Sequence, residues 1–236
     1  MSKHLLTKKP GKIWTKKCNT MKRILDLVIA FIAILVLIPI FFIVFPILLF
    51  TGEHKVFYLQ DRVGYRNNYF KIIKFATMLQ NSPSIGTGSL TLKNDPRVLP
   101  IGKFLRKTKI NELPQLFNVI LGDLSIVGPR PQMKVDFDKY SEEVKNRIYD
   151  IKPGITGVGS IIFRDEESFL SSSTEDPHVF YTRTIAPYKG KLEIWYQDNQ
   201  TIFLDLKVIF LTIWVILFPK SKIYESLLEG IPKKPF

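Results

Sequence analysis

Residues 24–50, ILDLVIAFIAILVLIPIFFIVFPILLF, form an apolar run whose one charge is Asp26 and which Pro39 and Pro46 interrupt. As a helix its 27 residues extend roughly 40 Å, more than the about 30 Å of a bilayer's hydrocarbon core. Length alone therefore describes a membrane-crossing helix. The flanks oppose a straight crossing. Lys3, Lys8, Lys9, Lys12, Lys16, Lys17, Lys22 and Arg23 precede the run with no acid among residues 1–23, and Lys55, Arg62, Arg66, Lys71 and Lys74 follow it. Clusters of Lys and Arg stay on the cytoplasmic side, and one crossing would export one of the two. A helix that bends at Pro39, where a donor is lost and the ring clashes with the preceding turn, returns to the face it entered. Carbonyls freed near Ile38 then need partners in a low-dielectric setting.

The competing readings are a straight single-span anchor, a buried core helix and a cleaved signal peptide. The last fits poorly, because a signal peptide's apolar region has about 7–15 residues and Thr51-Gly52-Glu53-His54 is a poor cleavage site.

With 236 residues, 46% of them hydrophobic and 23% charged, the chain can hold one domain with an ordinary core beside the membrane element. A net charge of +13 calls for an anionic partner. Eight of the 34 Lys and Arg precede the insert, where each adds about 1 kcal/mol of attraction to an anionic leaflet. Anionic membrane lipids and phosphorylated ligands are thus the expected partners, and nucleic acid is not. Cys18 is the single cysteine, so an internal disulfide and a cysteine metal cluster are excluded and a reducing cytosolic setting fits. His4, His54 and His178 lack metal-ligand spacing.

Beyond the insert, Val56–Leu59 and Tyr69–Ile73 read as a β-hairpin around the turn-prone Gly64–Asn68. Asn81–Ser89 reads as a mobile loop and Ser171–Pro177 as another. Helices are expected from Asn94 to Lys109, from Asn111 to Ile120 with Gly122 closing it, and from Ser141 to Tyr149. Val127-Gly128-Pro129-Arg130-Pro131 reads as an extended turn. Val208–Phe218 is too short to span and reads as a core or interface-lying helix.

Arg106, Asn111, Glu112 and Gln115 lie on or just before one short amphipathic helix, and Arg130 follows after the rigid turn, so cations and a carboxylate can converge. Guanidinium forks match phosphate oxygens two at a time, and Glu112 could hold a divalent cation bridging a diphosphate. The residues equally allow solvated arginines and a Glu112 that favours the helix dipole.

The stretch KFLRKTKINELPQL (103–116), followed by GDLSIVGPRP (122–131), resembles the bacterial sugar transferases, the monotopic phosphoglycosyl transferases. The resemblance runs from KRILD (22–26) through QDRVG (60–64), FKIIKF (70–75) and DPR (95–97) to PGITG (153–157). It implies an α-rich α+β monotopic membrane protein with a re-entrant helix-Pro-helix, a small β-hairpin and interfacial helices. The expected organisation is a basic segment 1–21, a membrane helix 22–52 and a catalytic domain 53–236 on the cytoplasmic face of the bacterial inner membrane. The implied reaction moves a sugar 1-phosphate from a UDP-sugar to polyprenyl (undecaprenyl) phosphate and releases UMP, which starts a surface glycan. Mg2+ is the implied cofactor. Arg106, Arg130 and Arg164 are implied phosphate contacts, with Lys74 facing the same basin and Gln115 beside it. Oligomeric state, including a homo-oligomer, stays open.

Three positions depart from the family pattern. Asn111-Glu112 stands where an Asp-Glu pair is usual and the aspartate is the nucleophile, and a carboxamide cannot take that role. Ala76 stands where arginine is common, and Ile38-Pro39 where Ser-Pro is usual. Asn111 leaves three accounts: Glu112 or another acid such as Asp95 attacks, the acceptor phosphate attacks directly, or the chain is a scaffold that binds the same ligands without turnover. The persistence of Glu112, Arg106, Gln115 and Arg130 favours retained activity.

Overall fold

The computed structural model describes residues 16–235, with side chains from residue 20 onward. The basic segment before residue 16, with His4, lies outside the described residues, as does the side chain of Cys18. The chain is rich in helix. α1 (Lys16–Phe50) leads to a hairpin of β1 (Phe57–Val63) and β2 (Tyr69–Phe75), then α2 (Pro100–Lys107) and α3 (Gln115–Leu121). A second, two-stranded parallel ladder joins β3 (Ser125–Val127) to β4 (Gly154–Thr156), with the short α4 (Lys134–Phe137) and α5 (Glu142–Lys145) between them. α6 (Val158–Ile162), α7 (Glu166–Ser172), α8 (Pro177–Phe180), α9 (Ala186–Asn199), α10 (Ile202–Leu217) and α11 (Tyr224–Leu227) complete it.

α1 is one continuous helical element through Pro39 and Pro46, where the sequence reading has two helices meeting at Pro39. It is not a core helix: only 11% of its most apolar stretch is buried against the rest of the chain. Val36, Phe42 and Phe50 are at least 70% exposed, a waste of apolar area in water that a lipid phase removes.

Both ends of α1 are fastened to the same body. Near its start, Lys22 Nζ donates to Val127 O at 3.0 Å and to Asp205 Oδ2 at 2.6 Å. Asp26 accepts from Ser125 Oγ at 2.8 Å and from Ile126 N at 3.1 Å. Arg23 donates to the carbonyls of Val119 and Ile120, satisfying orphan acceptors in the last turn of α3. Near its other end, Val44 and Leu48 pack with Val56, Phe75 and Leu105 in a small second core, and Phe41 lies 5.4 Å from Phe75 and 6.0 Å from Phe117.

The hairpin read at Val56–Leu59 and Tyr69–Ile73 forms with longer strands, Tyr58 pairing with Lys74 and Arg62 with Phe70. Gly122 closes α3 with a left-handed φ of 96°, the conformation glycine adopts without Cβ strain. Other boundaries move. The first helix after the loop begins at Pro100 instead of Asn94, because the preceding residues form an Asp95–Arg97 knot and a Met78–Val98 bridge. The helix placed at 111–120 is a 3-10 turn (Ile110–Glu112) followed by α3, since Pro114 has no N–H to continue a helix. The apolar run at 208–218 is the end of the longer α10, which starts where Thr201 Oγ1 accepts from Leu204 N at 3.0 Å. The helix at 141–149 shortens to α5, and the loop from Ser171 begins inside α7.

Arg97 fastens the glycine-rich loop expected to be mobile. Its guanidinium reaches the carbonyls of Ser82, Ile85, Gly88 and Leu90 at 2.6–2.9 Å and holds Asp95 in a buried pair at 2.6 Å.

Candidate active site

A pleat and two corners place the cluster. Along β2 side chains alternate faces: Phe75 points into the core against α1, and Lys74 points to the other side. The same neighbour relation recurs at Leu105 and Arg106, and at Ile110 and Asn111, where the first of each pair packs toward α1's second core. The polar basin therefore sits one residue away from the contact that seats the apolar helix. Between α2 and α3 the chain turns sharply at Lys109, whose φ of 61° is left-handed, a conformation that costs a non-glycine residue about 1–2 kcal/mol. That corner brings Lys109, Asn111 and Glu112 to the basin.

Arg130 arrives from the turn after β3. Gly128 lets this turn lie against β4: a Cβ there would stand 2.4 Å from Lys152 O. Arg130 then grips Glu112 with both amino groups, NH2 to Oε1 at 3.0 Å and NH1 to Oε2 at 3.4 Å. Burial alone would push the Glu112 carboxyl up, but the charges of Arg130, Lys109 and Lys74 outweigh it and hold the group well below the usual carboxylate range. The same pair raises Arg130 still further above its ordinary value. Glu112 is thus an ionised, engaged carboxylate.

Five cations share the basin. Burial, and then Arg62, lowers the Lys74 ammonium well below its ordinary value, and burial does the same to Lys109 against the pull of Glu112. Burial and the neighbouring Arg130 push Arg62 down to about 10, while its NH1 donates to Pro131 O at 3.2 Å. Arg106 is bound by Glu167 of α7 at 2.5 Å. Among the described residues, the ammonium groups of Lys74 and Lys109 have no hydrogen-bond or ion-pair partner. Asn111 Oδ1 and Gln115 Nε2 are also buried without partners. Buried groups left unsatisfied, as Asn111 Oδ1 and Gln115 Nε2 are, cost about 1–3 kcal/mol each, and together with the two partly exposed ammonium groups they mark a place a ligand completes.

Four of the acids around these cations are committed to ion pairs. Glu112 is held by Arg130, Glu167 by Arg106, Glu166 by Lys189 at 2.6 Å, and Asp136 by Lys139 at 3.0 Å. Glu193 lies beneath the Gly128–Arg130 turn and accepts from Arg130 N at 3.4 Å. It is 2% exposed, and burial pushes its carboxyl up to about 7. Asp95 is committed to Arg97 and stays away from the basin.

Of the residues singled out in the sequence, Lys74, Arg106, Asn111, Glu112, Gln115 and Arg130 come together. Arg164 does not: it donates to Val215 O at the end of α10. Arg62, Lys109 and Glu193 join the site although the sequence reading passed over them. For Arg62 a signal existed, since the hairpin alternation puts it on the same face as Lys74. No group of three or more His, Cys, Asp or Glu able to hold a metal occurs among the described residues. One engaged carboxylate and one free amide oxygen are too few for a resident divalent ion.

Beside the basin, Ile40, Ile43, Val44 and Ile47 of α1 face Ile101, Phe104, Leu105 and Ile110 across an apolar groove of about 200 Å³. A basin of five cations beside a long, exposed apolar helix fits a membrane-associated protein that handles phosphorylated ligands. The chain belongs to the bacterial sugar transferase family, whose pattern it matches over residues 17–219. It is 31% identical to the exopolysaccharide production protein ExoY of Sinorhizobium fredii over 81% of this chain and 83% of that one. It is 33% identical to a UDP-N-acetylgalactosamine-undecaprenyl-phosphate N-acetylgalactosaminephosphotransferase of Aeromonas hydrophila, and 32% identical to a UDP-galactose-lipid carrier transferase of Erwinia amylovora. The alignments cover 83% and 84% of this chain but 43% and 40% of those two relatives.

Proposed function

We propose that this chain transfers a sugar 1-phosphate from a UDP-sugar to undecaprenyl phosphate, releasing UMP, as the opening step of a surface glycan. The observation that carries the proposal is the basin itself: unpartnered Lys74 and Lys109, with Arg62, Arg106 and Arg130, set one residue away from the α1 contact. Such an array suits a diphosphate, and it stabilises charge that develops on the transferring phosphoryl group without reorganising. Arg106, Arg130, Lys74 and Gln115 act as phosphate ligands in this reading. Glu112 fixes the Arg130 fork. Magnesium arrives on the donor's diphosphate, because the chain's own oxygens do not form a resident site.

The re-entrant reading of α1 goes with this function and draws its support from the two-ended attachment at Lys22 and Leu48. The exposed face of α1 enters the cytoplasmic leaflet, alongside Phe203, Phe210, Ile213 and Leu217 of α10. The acceptor's isoprenoid then stays in lipid while its phosphate reaches the basin, with Lys and Arg drawing anionic headgroups to the same surface. A scaffold without turnover gains nothing from the relatives, which include an N-acetylgalactosaminephosphotransferase and a lipid carrier transferase.

Purified protein in detergent, with magnesium, undecaprenyl phosphate and radiolabelled UDP-galactose or UDP-N-acetylgalactosamine, tests the proposal. Label in the organic phase with matching UMP is expected from at least one donor of a UDP-sugar panel. No lipid-linked label from any donor overturns it.

A further inference from the structure

We infer that the transfer is a single displacement: the acceptor's phosphate attacks the donor directly, both substrates being bound at once, and no phosphosugar is ever attached to the chain. The inference rests on the transferase reading above and comes from an accounting of the nucleophiles. A covalent intermediate needs a carboxylate, or another activated nucleophile, free to approach the sugar-bearing phosphorus. Position 111 offers an amide oxygen with no full charge and no partner. Both oxygens of Glu112 are engaged by Arg130, and the surrounding cations reduce the basicity that nucleophilic attack requires. Glu166, Glu167 and Asp136 are ion-paired. The free oxygen of Glu193, Oε2, is buried beneath the Gly128–Arg130 turn and faces Gly157. The described residues place no histidine in the basin.

The charge balance suits two anions together. Lys74, Lys109, Arg62, Arg106 and Arg130 oppose Glu112 and Glu167, five against two, a net of +3. An aspartate at position 111 would lower that excess by one and place a fixed negative charge where the acceptor phosphate, itself carrying about −1.5 to −2, must come close. The carboxamide of Asn111 repels neither phosphate and can contact one. In the step, an oxygen of the acceptor phosphate forms a bond to the sugar-bearing phosphorus. The bond from that phosphorus to the bridging oxygen breaks, and UMP leaves with that oxygen and the electron pair. One phosphoanhydride replaces another, so no oxidant or reductant is involved.

The test uses the full chain with labelled UDP-galactose and UDP-N-acetylgalactosamine. Without undecaprenyl phosphate, no stoichiometric UMP release, no label on the protein and no exchange of labelled UMP into the donor are expected. With both substrates varied, reciprocal rate plots should intersect. Asn111→Asp restores a free carboxylate and should gain acceptor-independent UMP release with label retained on the protein. One equivalent of UMP per wild-type chain without acceptor, with a phosphosugar on the protein and parallel plots, overturns the inference while leaving the transferase reading intact. Absence of lipid-linked product from every donor overturns both.

Discussion

Replacing Lys74 by methionine should separate activity from stability in opposite directions. The ammonium is half-buried, lies next to Arg62, and has no hydrogen-bond partner in the ligand-free protein. Holding an unpaired charge there is unfavourable to the fold, so Lys74→Met should leave the thermal midpoint unchanged or raise it. The donor loses a charge-assisted hydrogen bond of about 1.5–3 kcal/mol, which converts to a roughly 10- to 100-fold fall in kcat/KM. The assay is lipid-linked label against donor concentration, paired with thermal unfolding in the same detergent. A variant that loses midpoint and activity together would show that Lys74 holds the structure instead of the ligand. A variant with wild-type kcat/KM would remove it from the basin's function.

Other consequences follow from single contacts. Lys22→Met takes the cation from the buried Asp205; breaking a buried pair costs about 3–5 kcal/mol, a fall of roughly 6–20 °C in thermal midpoint, and pairing it with Asp205→Leu should recover much of that loss. Gly128→Ala puts a Cβ 2.4 Å from Lys152 O, so the turn carrying Arg130 must shift, and kcat/KM should drop even where circular dichroism shows a folded chain. Glu193→Gln should change the pH profile of stability. The folded carboxyl titrates near 7 against an ordinary 4.5, so between those values the folded chain keeps a proton that the unfolded chain releases. Stability therefore declines with rising pH across that window, by on the order of 3 kcal/mol, and levels off above it. The glutamine variant should lack that slope in denaturant titrations at pH 5, 6 and 7.5, and an unchanged slope would assign it to other groups.

Much of this was legible in the residues. The apolar run, its two basic flanks and the hairpin each carry a strong local signal: length, charge sign, and alternation around a Gly-Asn turn. The convergence of Arg106, Glu112 and Arg130 was legible through spacing and resemblance together. What escaped was set by tertiary partners. Lys109 became a corner because the chain must reverse between α2 and α3, which no propensity reveals. Arg164 follows a motif that suggested a phosphate contact, yet the end of α10 offers it a carbonyl. α9 buries Lys189 and Glu193, so its pattern of buried residues is not an apolar stripe and periodicity could not find it. Asn81–Ser89 reads as a mobile loop because Arg97, which restrains it, lies outside that segment.

The account depends most on both ends of α1 belonging to one body on one side of the bilayer. Cysteines introduced singly at Ser2 and Lys234, in a Cys18→Ser background, can be probed in intact spheroplasts with a membrane-impermeant maleimide. Both should resist labelling until the membrane is permeabilised and then react alike. Labelling of one position in intact cells with protection of the other would mean a straight crossing, and would contradict the placement of the basin beside the leaflet that supplies its acceptor.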